Sequence, residues 1–357
     1  MARIKLAYIG GGSTRAAGTM ASFVHQGENF DGSEVVLIDL HEEHLRIVQT
    51  LARKMARARG LDITITTTTN RREGLRDCEA VLTSFRPGGF DARYLDESIP
   101  LKHGVIGQET QGPGGFFMAL RSIHVTKSII EDMEQVCPRA RLFNYTNPIN
   151  IVSEAVTHHT YIPSISFCEG PIVGNRDFAE LAGLDPDRLD AVSVGLNHGS
   201  WSIRHLYDGQ DFIAVLRNAY EHRRMPDTPE DRWETRLVEL ALEMDALPSH
   251  YFQYYYFKDE ILAELQASSA KEEPSGRKFG IKLHRRFQLS YGFALIPGHV
   301  QCHPQVQQQA WVVGHCLIEF AVKGDSVSKL ALGHEFLGAL RLGRQVLRLS
   351  EAARLGQ

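Results

Sequence analysis

Ile4-Lys5-Leu6-Ala7-Tyr8-Ile9-Gly10-Gly11-Gly12-Ser13-Thr14 decides the fold. An apolar run enters three glycines and then a stretch with helical periodicity. Glycines at that junction permit a tight turn and let backbone N–H groups approach a pyrophosphate at a helix N-terminus. The third glycine of the usual fingerprint would fall on Arg15, so the motif alone also allows a glycine-rich turn of another purpose. A second apolar run, residues 35–38, ends in Asp39. A carboxylate there can accept from a ribose 2′-OH and would repel a 2′-phosphate, which favours NAD over NADP. A strand-end turn residue is the plainer reading of Asp39. The order strand, Gly10–Gly12, helix, strand, Asp39 points to the cofactor.

Working outward, apolar runs at 4–10, 35–39, 63–66, 80–85, 141–145 and 165–167 alternate with helical stretches. That alternation predicts a parallel sheet covered on both faces. Beyond Cys168 the pattern changes to a strand over 190–197, a turn at Asp208-Gly209, helices near 230–244 and 251–266, a polar break at 268–276 and a further helix over 304–321. The fold class expected is therefore α/β: a Rossmann-type domain over 1–170, then an α+β substrate and oligomerisation domain over 171–357.

At 357 residues and 43% hydrophobic content, the chain can bury a large core, about two domains' worth. Its five cysteines are odd in number and unclustered, which argues against a disulfide framework and for a reducing, cytoplasmic setting. The formal charge of −4 shows no basic excess for nucleic acid, and no apolar run reaches the ~18 residues of a membrane span. The expected partner is a small molecule.

Four segments offer chemistry. Gly107-Gln108-Glu109-Thr110-Gln111-Gly112-Pro113-Gly114-Gly115 precedes a helix expected over 116–133, and its composition suits either a fixed bend presenting Gln108 and Glu109 to a ligand or an ordinary surface turn. Asn144-Tyr145-Thr146-Asn147-Pro148 closes a parallel strand, the edge where open α/β sheets hold ligands. Asn147 is placed there both for a ligand and as an N-cap for a helix starting at Pro148. Cys168 closes the next strand, and His198 follows Asn197 at the end of another. A thiolate and an imidazole can share a divalent ion with substrate oxygens completing the shell, although a buried cysteine and a hydrogen-bonded histidine are commoner. Tyr251, Tyr254, Tyr255 and Tyr256 read as packing or as a source of a general base.

These residues together resemble glycoside hydrolase family 4, the NAD- and metal-dependent glycosidases. The resemblance runs from Lys5 to about Tyr256, through Gly10-Gly11-Gly12-Ser13, Asp91-Ala92-Arg93, the 99–110 segment, Asn144-Tyr145-Thr146-Asn147-Pro148, the Cys168 loop and Asn197-His198. It implies an oxidation–elimination route: NAD oxidises the sugar C3 hydroxyl, the ketone acidifies the C2 proton, elimination breaks the glycosidic bond, water adds and the hydride returns. It implies a metal, manganese first, on Cys168 and His198, a tyrosine base with Tyr251 ahead of Tyr255, and Glu169 as general acid of an α-glycosidase. Gly10, Gly11, Gly12, Ser13, Asp39 and Asn147 would serve the cofactor. Arg93, Gln108, Glu109, Asn147, Asn197 and Arg277 would serve the substrate, with Ser13, Arg93 and Arg277 at positions expected of phosphate-contacting groups and Arg93 equally able to meet a uronate. A homo-dimer or homo-tetramer is implied as well.

The Cys168-Glu169-Gly170-Pro171 loop departs from the common family variants, so the sugar stays open. The glycine- and tyrosine-rich segment expected before the C-terminal helices is not recognisable between 285 and 303. Lactate- and malate-type dehydrogenases offer a competing reading, with His198 as proton donor to a 2-hydroxy acid and no metal. A non-catalytic NAD-binding sensor is a third.

Overall fold

The computed structural model describes residues 3–168, 170–222 and 232–271. Six strands, β1 (Lys5–Ile9), β2 (Glu34–Ile38), β3 (Thr64–Thr68), β4 (Ala80–Thr83), β5 (Arg141–Asn144) and β6 (Ser164–Ser166), form one all-parallel sheet. Their order is β3-β2-β1-β4-β5-β6, so the chain reverses direction between β1 and β4. A crevice opens at such a reversal, outside the carboxyl ends of the strands.

Alternate residues along the strands serve two apolar cores. Leu6, Tyr8, Val35 and Leu37 pack with Met20 and Phe23 of helix α1 (Thr14–His25) and Leu45 of α2 (Glu42–Ala58). Ala7, Ile9, Val36, Ile38, Val81 and Leu142 face the other way. They meet Leu75 of α3 (Arg71–Leu75), Ile129 and Met133 of α5 (Gly112–Val136), and Val152 of α6 (Ile149–His159). Helix α4 (Gly89–Lys102) lies against α5. Burial on both faces explains why β1, β2, β4 and β5 read as largely apolar runs rather than as half-polar alternation, whereas β3 and β6 are richer in Thr and Ser and only partly buried.

After β6, helix α7 (Gly170–Leu181) leads into an antiparallel hairpin of β7 (Leu189–Leu196) and β8 (Gly199–Tyr207), with short β9 (Gln210–Asp211) beside β8. Phe178 and Leu181 of α7 join Tyr207 of β8, Phe212 and Leu216 of α8 (Phe212–Glu221) and Leu237 and Val238 of α9 (Arg232–Met244) in a third core. The segment expected as one helix over 251–266 is instead a 3-10 turn (His250–Phe252), α10 (Gln253–Tyr256) and α11 (Lys258–Lys271), broken at Phe257. The helix expected over 304–321 lies outside the described residues. Among the described residues no helix is long and apolar enough to cross a membrane.

Candidate active site

The glycine turn is built by close approach. Gly10 holds φ +93°, and a Cβ there would sit 2.1 Å from the Ser84 carbonyl oxygen. A Cβ on Gly11 would lie 2.8 Å from that of Leu37. Only glycine lets β1 cross so near β2 and β4 before α1 begins. Ser13 caps α1, its Oγ accepting from Ala16 N–H at 3.2 Å and donating to the Gly10 carbonyl at 2.8 Å. The Gly12 N–H donates to Asp39 Oδ2 at 2.9 Å, while Oδ1 accepts from Leu40 N–H at 2.7 Å. Asp39 is thus a strand-end turn residue and also a carboxylate locked beside the glycine turn.

The 107–115 segment is less a loop than expected. Helix α5 starts at Gly112, with Pro113 in its first turn, where proline lacks only an N–H the helix would not use. Cβ atoms on Gly107 and Gly114 would fall 1.7 Å from the Glu97 carbonyl oxygen and 2.4 Å from that of Gln108. These glycines exist so that α5 can seat against α4. Gln108 turns its Oε1 inward, accepting from Thr110 N–H at 2.6 Å and Gln111 N–H at 2.8 Å. Its side-chain oxygen thus ties down the two residues that lead into the helix, whose N-cap Gln111 makes no side-chain cap bond. Glu109 is buried and paired with Arg86 and, at 3.4 Å, with Arg93, whose Nε donates to Glu97 at 2.8 Å. Burial disfavours the charge on Arg93, yet Glu109 and Glu97 outweigh it and raise its pKa. Burial likewise raises that of Glu97, against the pull of Arg93. Arg86 escaped the sequence reading, although it stands just past β4, at the strand edge where such residues gather.

At the end of β5, Asn144 is buried and ties three strands together. Its Oδ1 accepts from Thr83 Oγ1 and Thr146 N–H, both at 2.9 Å, and its Nδ2 donates to Ser166 Oγ at 3.4 Å. Asn147 is not the N-cap of α6. Pro148 occupies that position with no side-chain cap bond, and the Asn147 carbonyl accepts from Ser122 Oγ at 2.8 Å.

The reactive pair forms where β6 and the β7–β8 hairpin converge. Cys168 Sγ lies 3.6 Å from His198 Nε2. Leu196 pairs with Gly199 across the hairpin, leaving Asn197-His198 as a two-residue turn with His198 at φ +61°. A non-glycine residue in that region costs about 1 kcal/mol or more. The strain is met by packing: the imidazole stacks on Tyr251, ring centroids 3.4 Å apart and planes within 5°. Tyr251 reaches it because residues 247–249 run along β8, Ser249 N–H donating to the Ser200 carbonyl at 2.9 Å and Leu247 N–H to Ser202 Oγ at 2.7 Å. Tyr255 is 63% exposed and packs edge-on to Phe252, away from the pair. Burial pushes the His198 pKa down to about 4, with the Glu109 carboxylate opposing. Glu169 and Arg277 lie outside the described residues.

The pair suits a metal. A thiolate sulfur and an imidazole nitrogen 3.6 Å apart could together hold one divalent ion, and a neutral imidazole is the ligating form. Among the described residues no third Cys, His, Asp or Glu joins them. A cleft of about 300 Å³ opens beside Cys168, lined by Asn150, Ser166, Ser193 and Asn197 among others. Among the described residues the buried Asn197 Oδ1 has no hydrogen-bond partner. A buried acceptor left unpaired costs about 1–3 kcal/mol, which a ligand hydroxyl would recover.

A sheet in the order of the dinucleotide-binding folds, with a glycine turn after one strand and a thiol–imidazole corner after another, defines a Rossmann-type protein. The chain belongs to the family 4 glycosyl hydrolases: residues 5–184 match the family model and residues 193–291 that of its C-terminal domain. It is 35% identical over 276 residues to a probable 6-phospho-beta-glucosidase of Bacillus subtilis, covering 75% of this chain and 62% of that one. It is 33% identical over 263 residues to 6-phospho-alpha-glucosidase 1 of Lacticaseibacillus paracasei, covering 70% and 59%. A 6-phospho-alpha-glucosidase from gut microorganisms, solved in complex with NAD and Mn²⁺, superposes with a TM-score of 0.71 at 25% identity, over 87% of this chain and 74% of that one. The chain spans about three-fifths of the length of those two curated relatives.

Proposed function

We propose that the protein is an NAD- and divalent-metal-dependent glycosidase acting on a 6-phosphorylated glycoside, with α-linkage favoured by Glu169 after Cys168. The observation that carries this reading is the 3.6 Å approach of Cys168 Sγ to His198 Nε2 beneath the Tyr251 ring. The phosphate is argued from the relatives' names. When bound, NAD supplies a hydride acceptor and the metal, manganese first, a Lewis acid for sugar oxygens. The chain's own residues do the rest. Gly10, Gly11, Gly12, Ser13 and Asp39 receive the dinucleotide, with Asn147 at its far end. Cys168 and His198 hold the ion, and Asn197 Oδ1 accepts from a sugar hydroxyl. The Tyr251 oxygen, as phenolate, takes the proton from C2, and the Glu169 carboxylic acid gives its proton to the leaving oxygen.

Of the phosphate candidates, Arg93 serves Glu97 and Glu109 through Nε and Nη1, two of the five donor directions a guanidinium offers. Ser13 and Arg277 complete the set. Gln108 and Glu109 act from beneath: one fixes the start of α5, the other places a negative charge near His198. We place the division between the nucleotide and substrate halves near residue 170, and self-association as a dimer or tetramer belongs to the same proposal. The dehydrogenase reading gives the thiol beside His198 no task, and the relatives are named as glycosidases.

The test is hydrolysis of p-nitrophenyl α- and β-glucosides, their 6-phosphates and glucuronides, with and without NAD and Mn²⁺, under reducing conditions. Release of nitrophenol should require both additions. It should fall by more than about 100-fold on chelation or in Cys168→Ser and His198→Ala. Turnover that survives chelation would refute the metal, and NAD reduction by a 2-hydroxy acid without hydrolysis would restore the dehydrogenase.

A further inference from the structure

The residue before the proposed base is itself held on several sides. His250 has a side chain only 13% exposed, and its ring lies against Gly174 of α7, where a Cβ would come within 3.2 Å of its Cδ2. Phe178 meets it edge-on, centroids 5.8 Å apart, and Asp177 Oδ2 lies 3.6 Å from its Nδ1. The ring is hydrogen-bonded to the Gly174 backbone, and burial pushes its pKa down to about 4, so it sits there as a neutral ring. Three residues within little more than one turn of α7 thus meet one imidazole.

The helix doing the holding is the one that follows the metal-binding thiol. A Cβ at its first residue, Gly170, would lie 3.7 Å from Cys168 Sγ and 3.9 Å from Tyr251 Cε2. The thiol loop and the tyrosine turn come from distant parts of the chain, and α7 touches both. The hairpin fixes the tyrosine turn from the other side through Ser249 and the Ser200 carbonyl.

We propose that His250 is a positioning residue for Tyr251: clasped by Gly174, Asp177 and Phe178, it fixes the Tyr251 ring over His198 and beside Cys168. This rests on the reading of Tyr251 as the proton acceptor. It is distinct from generic core packing because an apolar residue would fill the space without bonding the Gly174 backbone. A 1 Å misplacement of a reacting group can cost on the order of 100-fold in rate.

The experiment compares His250→Ala, His250→Asn and Gly174→Ala with the wild-type full chain. Asparagine retains a donor for the Gly174 carbonyl. Alanine at 174 leaves His250 intact and improves helix propensity, yet crowds the imidazole. Hydrogen–deuterium exchange on the ligand-free proteins should show faster exchange over residues 249–256 in His250→Ala, reversed in His250→Asn. With the 6-phosphoglycoside that the wild type hydrolyses, kcat should drop about 10- to 100-fold in His250→Ala and Gly174→Ala, with KM within twofold and most of the loss rescued in His250→Asn. Unchanged exchange and unchanged kcat in both Ala variants overturn the inference. So does a loss that asparagine does not rescue at all. Should His250→Ala fail to fold, Gly174→Ala decides. If the wild type hydrolyses nothing, the functional proposal fails, and the exchange experiment alone upholds or overturns the positioning role.

Discussion

Asn144 engages acceptor and donor atoms at the point where β4, β5 and β6 end together, and it is 1% exposed. Replacing it by alanine strands Thr83 Oγ1 and the Thr146 N–H in an apolar setting, an expected loss of about 2–4 kcal/mol. Urea denaturation would read this as a fall in midpoint at unchanged slope. A second residue-scale prediction concerns acid. The folded-state pKa of His250 lies near 4, below the ordinary ~6.5 of the unfolded chain. Between those values the unfolded state binds the extra proton, so stability is intact above about pH 6.5 and is lost as pH falls toward 4, by roughly 3 kcal/mol at most. His250→Asn should remove that part of the slope, seen as a flatter Tm-against-pH curve than wild type over this window. The two residues differ in legibility. Asn144 sits in a strand-end motif visible in the sequence, as do Cys168 and His198. His250 depends on Gly174 and Asp177, and no spacing announces a contact between segments so far apart in the chain.

At the scale of elements, β1, β2, β4 and β5 were legible because burial on both faces leaves largely apolar runs, whereas β3 and β6 are richer in Thr and Ser and only partly buried; all six observed strands fall within two residues of the expected positions. The start of α5 was not. Its four glycines and one proline over 107–115 carry a loop composition, yet Gly112–Gly115 form the first helical turn. What decides is tertiary: the glycines are selected for contact with α4, a relation that local propensity does not encode. Substitutions separate the causes. Gly112 holds φ +59° with nothing within 4 Å of a Cβ, so Gly112→Ala should cost only the backbone term, about 1 kcal/mol. Gly114→Ala would drive a methyl to 2.4 Å from the Gln108 carbonyl oxygen and 2.7 Å from that of Asp96, costing about 3 kcal/mol. Because the same displacement moves the segment that carries Glu109, Gly114→Ala should also lower turnover, whereas Gly112→Ala should not. Paired thermal melts and rate measurements check both. The hairpin is the other element that sequence left half-read: β7 was expected, but β8 continues the pairing as far as Tyr207.

Across the whole molecule, the two proposed ligand sites stand at the ends of different strands. The glycine turn and Asp39 follow β1 and β2, while the Cys168–His198 pair joins the end of β6, which shares the first core through Ile165 and Phe167, to a hairpin whose Tyr207 and Trp201 pack in the third. Among the contacts described, no residue belongs to both sites. Occupancy of one should therefore be felt at the other only through the substrate that bridges them. A ligand at 100 times its Kd stabilises by about 2.7 kcal/mol, several degrees of Tm in a protein of this size. The prediction is a thermal-shift matrix. NAD should raise the Tm of Cys168→Ser as much as that of wild type, and Mn²⁺ should do the same for Gly12→Val. In the latter, side-chain atoms would collide with Asp39 and His44, each already 3.0 Å from the site of a Cβ. Each variant should lose the shift from its own ligand alone. Shifts that add within error when both ligands are present establish independent sites, so any dependence on both for turnover arises at the substrate. A shift for NAD that vanishes in Cys168→Ser would instead show that the metal corner shapes the dinucleotide pocket, and would move the origin of that joint dependence from the chemistry to the fold.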